Sequence, residues 1–135
     1  MQEALAGQPG AEHLPLVESL LTELWEARDG DAPSARASAA AEALGPAMLE
    51  HALAPSAAVR LVLSAGRALV DVESSAGGLD GAGARRLGAL IDQAAADVAH
   101  AVEHARSARR QAWLAFLVHE LKNPLNTMLN AIWLL

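Results

Sequence analysis

The residues best suited to chemistry lie in the stretch Phe116 to Asn126, which reads Phe-Leu-Val-His-Glu-Leu-Lys-Asn-Pro-Leu-Asn. His119 is followed at once by Glu120, then by Lys122, Asn123 and Pro124. Neutral imidazole is a good nucleophile near neutral pH, its reference pKa being about 6.5. To attack phosphorus it needs one ring nitrogen free and the other held as N–H. A neighbouring carboxylate can hold that N–H and stabilise the cation that forms, and Glu120 is the candidate. Asn123 falls one helical turn on, where its amide can orient a water or a phosphoryl oxygen. Pro124 sits inside an apolar run that continues through Met128, Leu129, Ile132, Leu134 and Leu135. Proline inside a helix loses a hydrogen bond and clashes with the preceding turn, so a bend below the histidine is expected.

The other histidines carry weaker signals. His100 and His104 are four apart and share a face on a helix. That spacing suits a metal, but Asp97 and Glu103 are expected to point elsewhere. Two solvated or half-buried histidines, and no metal, is the preferred reading. Nothing in the sequence around His13 or His51 suggests a ligand. Scarce aromatics and the lack of a convincing proximal histidine argue against haem.

These residues must be positioned by helices. Hydrophobic residues make up 53% of the 135 and aromatics only 3%, so the core rests on aliphatic packing. Alanine is abundant, which favours helix, and no alternating strand pattern appears. The fold class is therefore all-α: an N-terminal helical bundle continuing into a long C-terminal helix. Residues 1–10 read as a flexible tail. A first helix is expected from about Glu12 to Arg28, with Leu14, Val17, Leu20, Leu21 and Leu24 at helical spacing and Trp25 beside them. Pro33 and Ser34 open a second, alanine-rich segment. Gly45-Pro46 makes it either two short helices or one kinked helix. Pro55 restarts the pattern, with Val59, Val62, Leu63, Gly66, Leu69 and Val70 as a stripe and Gly66 as a point of close helix approach. Ser74 to Gly78 reads as a flexible loop.

From Asp80, a predicted N-cap, one seam runs through Leu87, Leu90, Ile91, Ala94, Val98, Ala101, Val102, Ala105, Ala108 and Ala112. A helix of roughly 40 residues is about 60 Å long, too long for one small bundle. The predicted division is a helical regulatory domain over 11–110 and a functional helix over 111–135.

Charge and composition exclude several classes. The net charge is −6, which disfavours a nucleic-acid surface; Arg106, Arg109 and Arg110 are too few to reverse this. There are no cysteines, hence no disulfide or thiolate metal site. The N-terminal residues lack the pattern of a signal peptide, and no apolar run is long enough to span a bilayer. A cytoplasmic location is expected.

The segment His119 to Leu125, His-Glu-Leu-Lys-Asn-Pro-Leu, resembles the H-box of sensor histidine kinases with the common dimerisation and phosphotransfer domain. The resemblance covers about 20 residues; Val118 stands where a small residue is usual. It implies that His119 is the autophosphorylated residue and Glu120 the acid/base and orienting carboxylate. Asn123 would position water for dephosphorylating a response regulator, with Lys122 supporting partner or phosphate contacts. Pro124 would be the characteristic helix bend. ATP and Mg would belong to a separate catalytic domain, since the chain has no glycine-rich phosphate loop and no cofactor site of its own. The expected partners are a second copy of the chain, a response regulator and that catalytic domain. The chain stops at Leu135 within an amphipathic run. It is thus expected to be an N-terminal piece of a longer kinase, inactive alone but able to accept phosphate in trans.

The first 110 residues resemble, in layout only, helical sensor domains upstream of bacterial signalling proteins; a protein-interaction or dimerisation role is favoured over small-molecule sensing. Two alternatives stay open. One is a stand-alone histidine phosphotransfer protein, for which glycine rather than Asn123-Pro124 is wanted one turn after the histidine. The other is a non-catalytic helical dimerisation module.

Overall fold

The computed structural model describes residues 14–30, 35–51 and 53–135. Four helices account for almost all of them, and no strand occurs among the described residues: α1 Leu14–Ala27, α2 Ala35–Glu50, α3 Pro55–Ser75 and α4 Gly81–Trp133. The fold is all-α with a long C-terminal helix. The predicted tail over 1–10, His13 and the predicted helix opening at Pro33-Ser34 lie outside the described residues. Among the described residues, no helix is long and apolar enough to cross a membrane.

Three of the helix ends have a local cause. Proline occupies the first turn of α3, where its missing N–H costs nothing. Asp80 caps α4 as predicted: its carboxylate oxygen Oδ1 accepts from the Gly83 N–H at 2.6 Å, and its carbonyl accepts from the Ala84 N–H at 2.9 Å. The Ser74 to Gly78 segment differs from the flexible loop expected. Ser74 and Ser75 are the last residues of α3. Gly77 then turns into the left-handed region at φ 78°. Its N–H donates to the Ser74 carbonyl at 3.3 Å, and the Gly78 N–H reaches back to the Glu73 carbonyl at 2.9 Å. This paired return closes a helix with defined hydrogen bonds, and only the Gly77 position needs a residue without a Cβ.

The chain divides into two compact units, with the boundary after Ala105, five residues before the position expected from the sequence. In the first unit, α1, α2, α3 and the part of α4 up to Val102 share one core. Val17, Leu20, Leu21 and Leu24 enter it from α1, Ala37, Ala41, Leu44 and Met48 from α2, and Ala58, Leu61, Val62 and Ala65 from α3. Leu87, Ile91, Ala94, Ala95, Val98 and Val102 complete it from α4. Trp25 is half-buried, with the Arg28 guanidinium 4.1 Å from its ring centre and Arg28 Nη1 donating to its carbonyl at 2.8 Å. Arg36, at the start of α2, lies 3.2 Å from Glu23 and 4.0 Å from Glu26 of α1. These pairs are too exposed to contribute much stability.

Glycine sets the closest approaches. Despite Gly45-Pro46, α2 is one helix, which settles the choice left open by the sequence. A Cβ on Gly45 would lie 2.6 Å from the Ala101 carbonyl carbon of α4. A Cβ on Gly66 would lie 2.5 Å from Cγ2 of Ile91, so the close approach predicted at Gly66 is present. The two sites differ in what must yield: main chain at Gly45, a side chain at Gly66. Overpacking costs typically about 1–3 kcal/mol, whereas Gly-to-Ala in a helix interior gains about 1 kcal/mol. Gly45→Ala is therefore expected to destabilise the protein and Gly66→Ala to do so less. Urea melts of the two variants check the order; a Gly45→Ala protein as stable as wild type would refute the backbone contact.

Candidate functional site

The second unit, Arg106–Leu135, contains the predicted reactive residues on α4. Apart from Leu117, which is half-buried, every residue from Arg106 to Leu135 is exposed. Ala108 and Ala112, the last residues of the seam, are exposed, and burial along the seam stops with half-buried Ala105. Alanine is small enough to suit either environment, so its spacing does not mark where the core ends.

A different stripe takes over. Leu114, Val118, Leu121, Leu125, Met128 and Ile132 follow one another at alternating steps of four and three, and all are exposed. This is the seven-residue hydrophobic repeat that helices bury against one another. An exposed apolar patch of this kind marks an interaction surface. Trp113, Phe116, Leu117 and Leu129 lie off the repeat and blur it in the sequence. Counting steps of four and three from Leu114 recovers it.

His119, Glu120 and Asn123 all lie off this stripe. In the seven-residue register, with Val118 at the first position, they take the second, third and sixth, which are the positions that stay in water when the seam is covered. His119 and Asn123 are one turn apart on a shared face. Glu120 is about 100° round the helix from His119. Among the described residues, no hydrogen bond or ion pair joins the two. Adjacent helical residues do not face each other, so the tether expected between Glu120 and the His119 ring is not formed here. The carboxylate stands free beside the imidazole, able to act on a group brought to it.

Pro124 lies inside α4. It has no N–H to give to the Glu120 carbonyl four residues earlier. One turn further, the Thr127 hydroxyl donates to the Asn123 carbonyl at 3.0 Å. The turn bearing Glu120 and Asn123 thus combines an interrupted hydrogen-bond ladder with open side chains. Lys122 is exposed on the same turn.

The remaining histidines separate by location. His51 is exposed at the end of α2. His100 and His104 lie in the first unit, where their rings are 6.5 Å apart and tilted by 35°. They line an open groove of about 530 Å³ together with Ser38, Glu42 and Pro46 of α2 and Asp97, Ala101 and Ala105 of α4. Asp97, expected to point elsewhere, shares this groove: it precedes His100 by three residues and so lies on the same helix face. Among the described residues, no three histidine or carboxylate side chains are gathered closely enough, as they stand, to hold a metal ion.

No family model, no curated protein and no solved structure matches the chain.

Proposed function

We propose that this chain is the N-terminal regulatory and phospho-accepting segment of a cytoplasmic two-component sensor histidine kinase. The observation that carries the reading is the division of one helix into two faces. The reactive trio His119, Glu120 and Asn123 is open to solvent, while a seven-residue apolar repeat lies on the other positions of the same turns. A phospho-accepting histidine needs both: a surface that pairs with other helices, and a nucleophile left accessible to an ATP-binding domain and then to a response regulator. The resemblance of His119–Leu125 to the H-box supplies the chemistry.

In that chemistry an unprotonated His119 nitrogen attacks the γ-phosphorus of ATP. The new N–P bond forms as the bond from phosphorus to the β,γ-bridging oxygen breaks, and ADP leaves with the electron pair. Glu120 accepts or steadies the proton on the imidazole as positive charge develops there. The response regulator then takes the phosphoryl group from His119, and Asn123 orients the water that later hydrolyses it from the regulator. ATP and Mg are held by the catalytic domain.

The apolar repeat joins two copies of the chain, and the preceding bundle acts as the input end of the same helix. The seam by itself also suits a non-catalytic dimerisation module, and one experiment separates the two. Incubated with the parent kinase's catalytic domain and ATP labelled at the γ-phosphate, the wild-type chain is expected to take up acid-labile label. The His119→Ala chain is expected to take up none. Equal labelling of both chains, or none on wild type, would sink the phosphotransfer reading and leave the dimerisation module.

A further inference from the structure

We infer that the groove between α2 and α4 is a binding site for a divalent transition-metal ion, with His100 and His104 as its imidazole ligands. The inference does not depend on phosphotransfer at His119. Three observations carry it. The two imidazoles stand one turn apart on one helix face and line a single open groove. Histidines spaced four apart on a helix are suited to chelate one ion. Two carboxylates line the groove with them, Asp97 from α4 and Glu42 from α2. Among the described residues, neither carboxylate is in an ion pair with lysine or arginine; Asp97 accepts only a hydrogen bond from Gln93, at 3.0 Å.

The donor set is two imidazole nitrogens with carboxylate oxygens in the same groove. Imidazole selects zinc, copper or nickel, whereas calcium and magnesium demand oxygen alone. Among the described residues these donors do not yet converge on one point. His100, His104 and Glu42 are exposed and Asp97 is half-exposed, so side-chain rotation can bring them in without disturbing the core. Metal–nitrogen distances of about 2.0–2.1 Å require the two rings to swing toward each other. An ion so held ties α4 to α2 across the groove.

Titration of the full chain with zinc sulfate, followed calorimetrically and by thermal melting, tests the site. Wild type is expected to bind zinc saturably and to melt at a higher temperature with zinc than without it. His100→Ala and His104→Ala are each expected to weaken binding by at least about tenfold, as losing a ligand costs no less than losing its outer-shell support. Glu42→Gln and Asp97→Asn should weaken it by less. His119→Gln should leave the affinity unchanged, which excludes the His119-Glu120 turn as the binding place. All four groove residues are at least partly exposed, so the variants are expected to fold, with far-UV circular dichroism as the check. No saturable binding by wild type, or unchanged binding by the His100→Ala, His104→Ala double variant, overturns the assignment.

Discussion

Replacing Glu120 by glutamine is expected to slow phosphorylation of His119 by about 10²–10⁴-fold, the range supplied by a positioned acid or base. Replacing Asn123 by alanine is expected to leave that rate within a few-fold. Instead it should slow loss of phosphate from the response regulator by about 10²–10³-fold, the usual cost of removing one preorganised hydrogen-bond donor. The two effects separate because the proposed roles fall in different steps: proton handling at the imidazole, and water placement at the regulator. Both side chains are exposed. Surface changes of this kind shift stability by no more than about 0.5 kcal/mol, so lost activity cannot be blamed on unfolding. Single-turnover labelling of the chain, and decay of a pre-labelled regulator, measure the two steps apart. If both variants fail in the same step, the assignment of separate roles is wrong.

Leu87→Ala is expected to give the largest loss of stability. Leu87 is 0% exposed and enters the core from the first turns of α4. Emptying a buried leucine site costs about 2–5 kcal/mol, through lost apolar transfer and the cavity left behind. For a domain near this size, each kcal/mol lowers the melting temperature by about 4–8 °C. The midpoint should therefore fall by roughly 10–40 °C. The contrasting variant is Leu121→Ala, in the second unit, where the side chain is 57% exposed. It has little core contact to lose and should not move the bundle's midpoint, although it removes part of the surface proposed to pair with a second copy. Equal destabilisation by the two changes would contradict the division at Ala105.

Much of the helical layout is legible because amphipathic spacing and end signals agree. Val17, Leu20, Leu21 and Leu24 fall on one face and are buried together; Asp80 announces a cap and makes it. What stays hidden depends on tertiary neighbours. Gly45-Pro46 looks like a break until α4 is placed against it: the Gly45 backbone lies so near Ala101 that a side chain would not fit. Ala95 is buried beside Ala94, although the seam read from the sequence omits it. Ser74 to Gly78 has the composition of a loose loop, yet its Gly77-Gly78 pair closes α3 with defined hydrogen bonds. At the candidate site, the residue types and the one-turn spacing of His119 and Asn123 are readable, whereas the exposure of the whole turn is not.

The placement of the tryptophans gives the protein a built-in optical probe. It has no tyrosine, and its three indoles are divided between the units. Trp25 is half-buried at the edge of the bundle, beneath Arg28, while Trp113 and Trp133 are 59% and 85% exposed in the second unit. When the bundle unfolds, Trp25 exchanges a packed, cation-capped setting for water. Trp113 and Trp133 have far less to exchange. The change in intrinsic fluorescence on denaturation is therefore mainly a signal from Trp25, so the bundle's unfolding can be followed without attaching a dye.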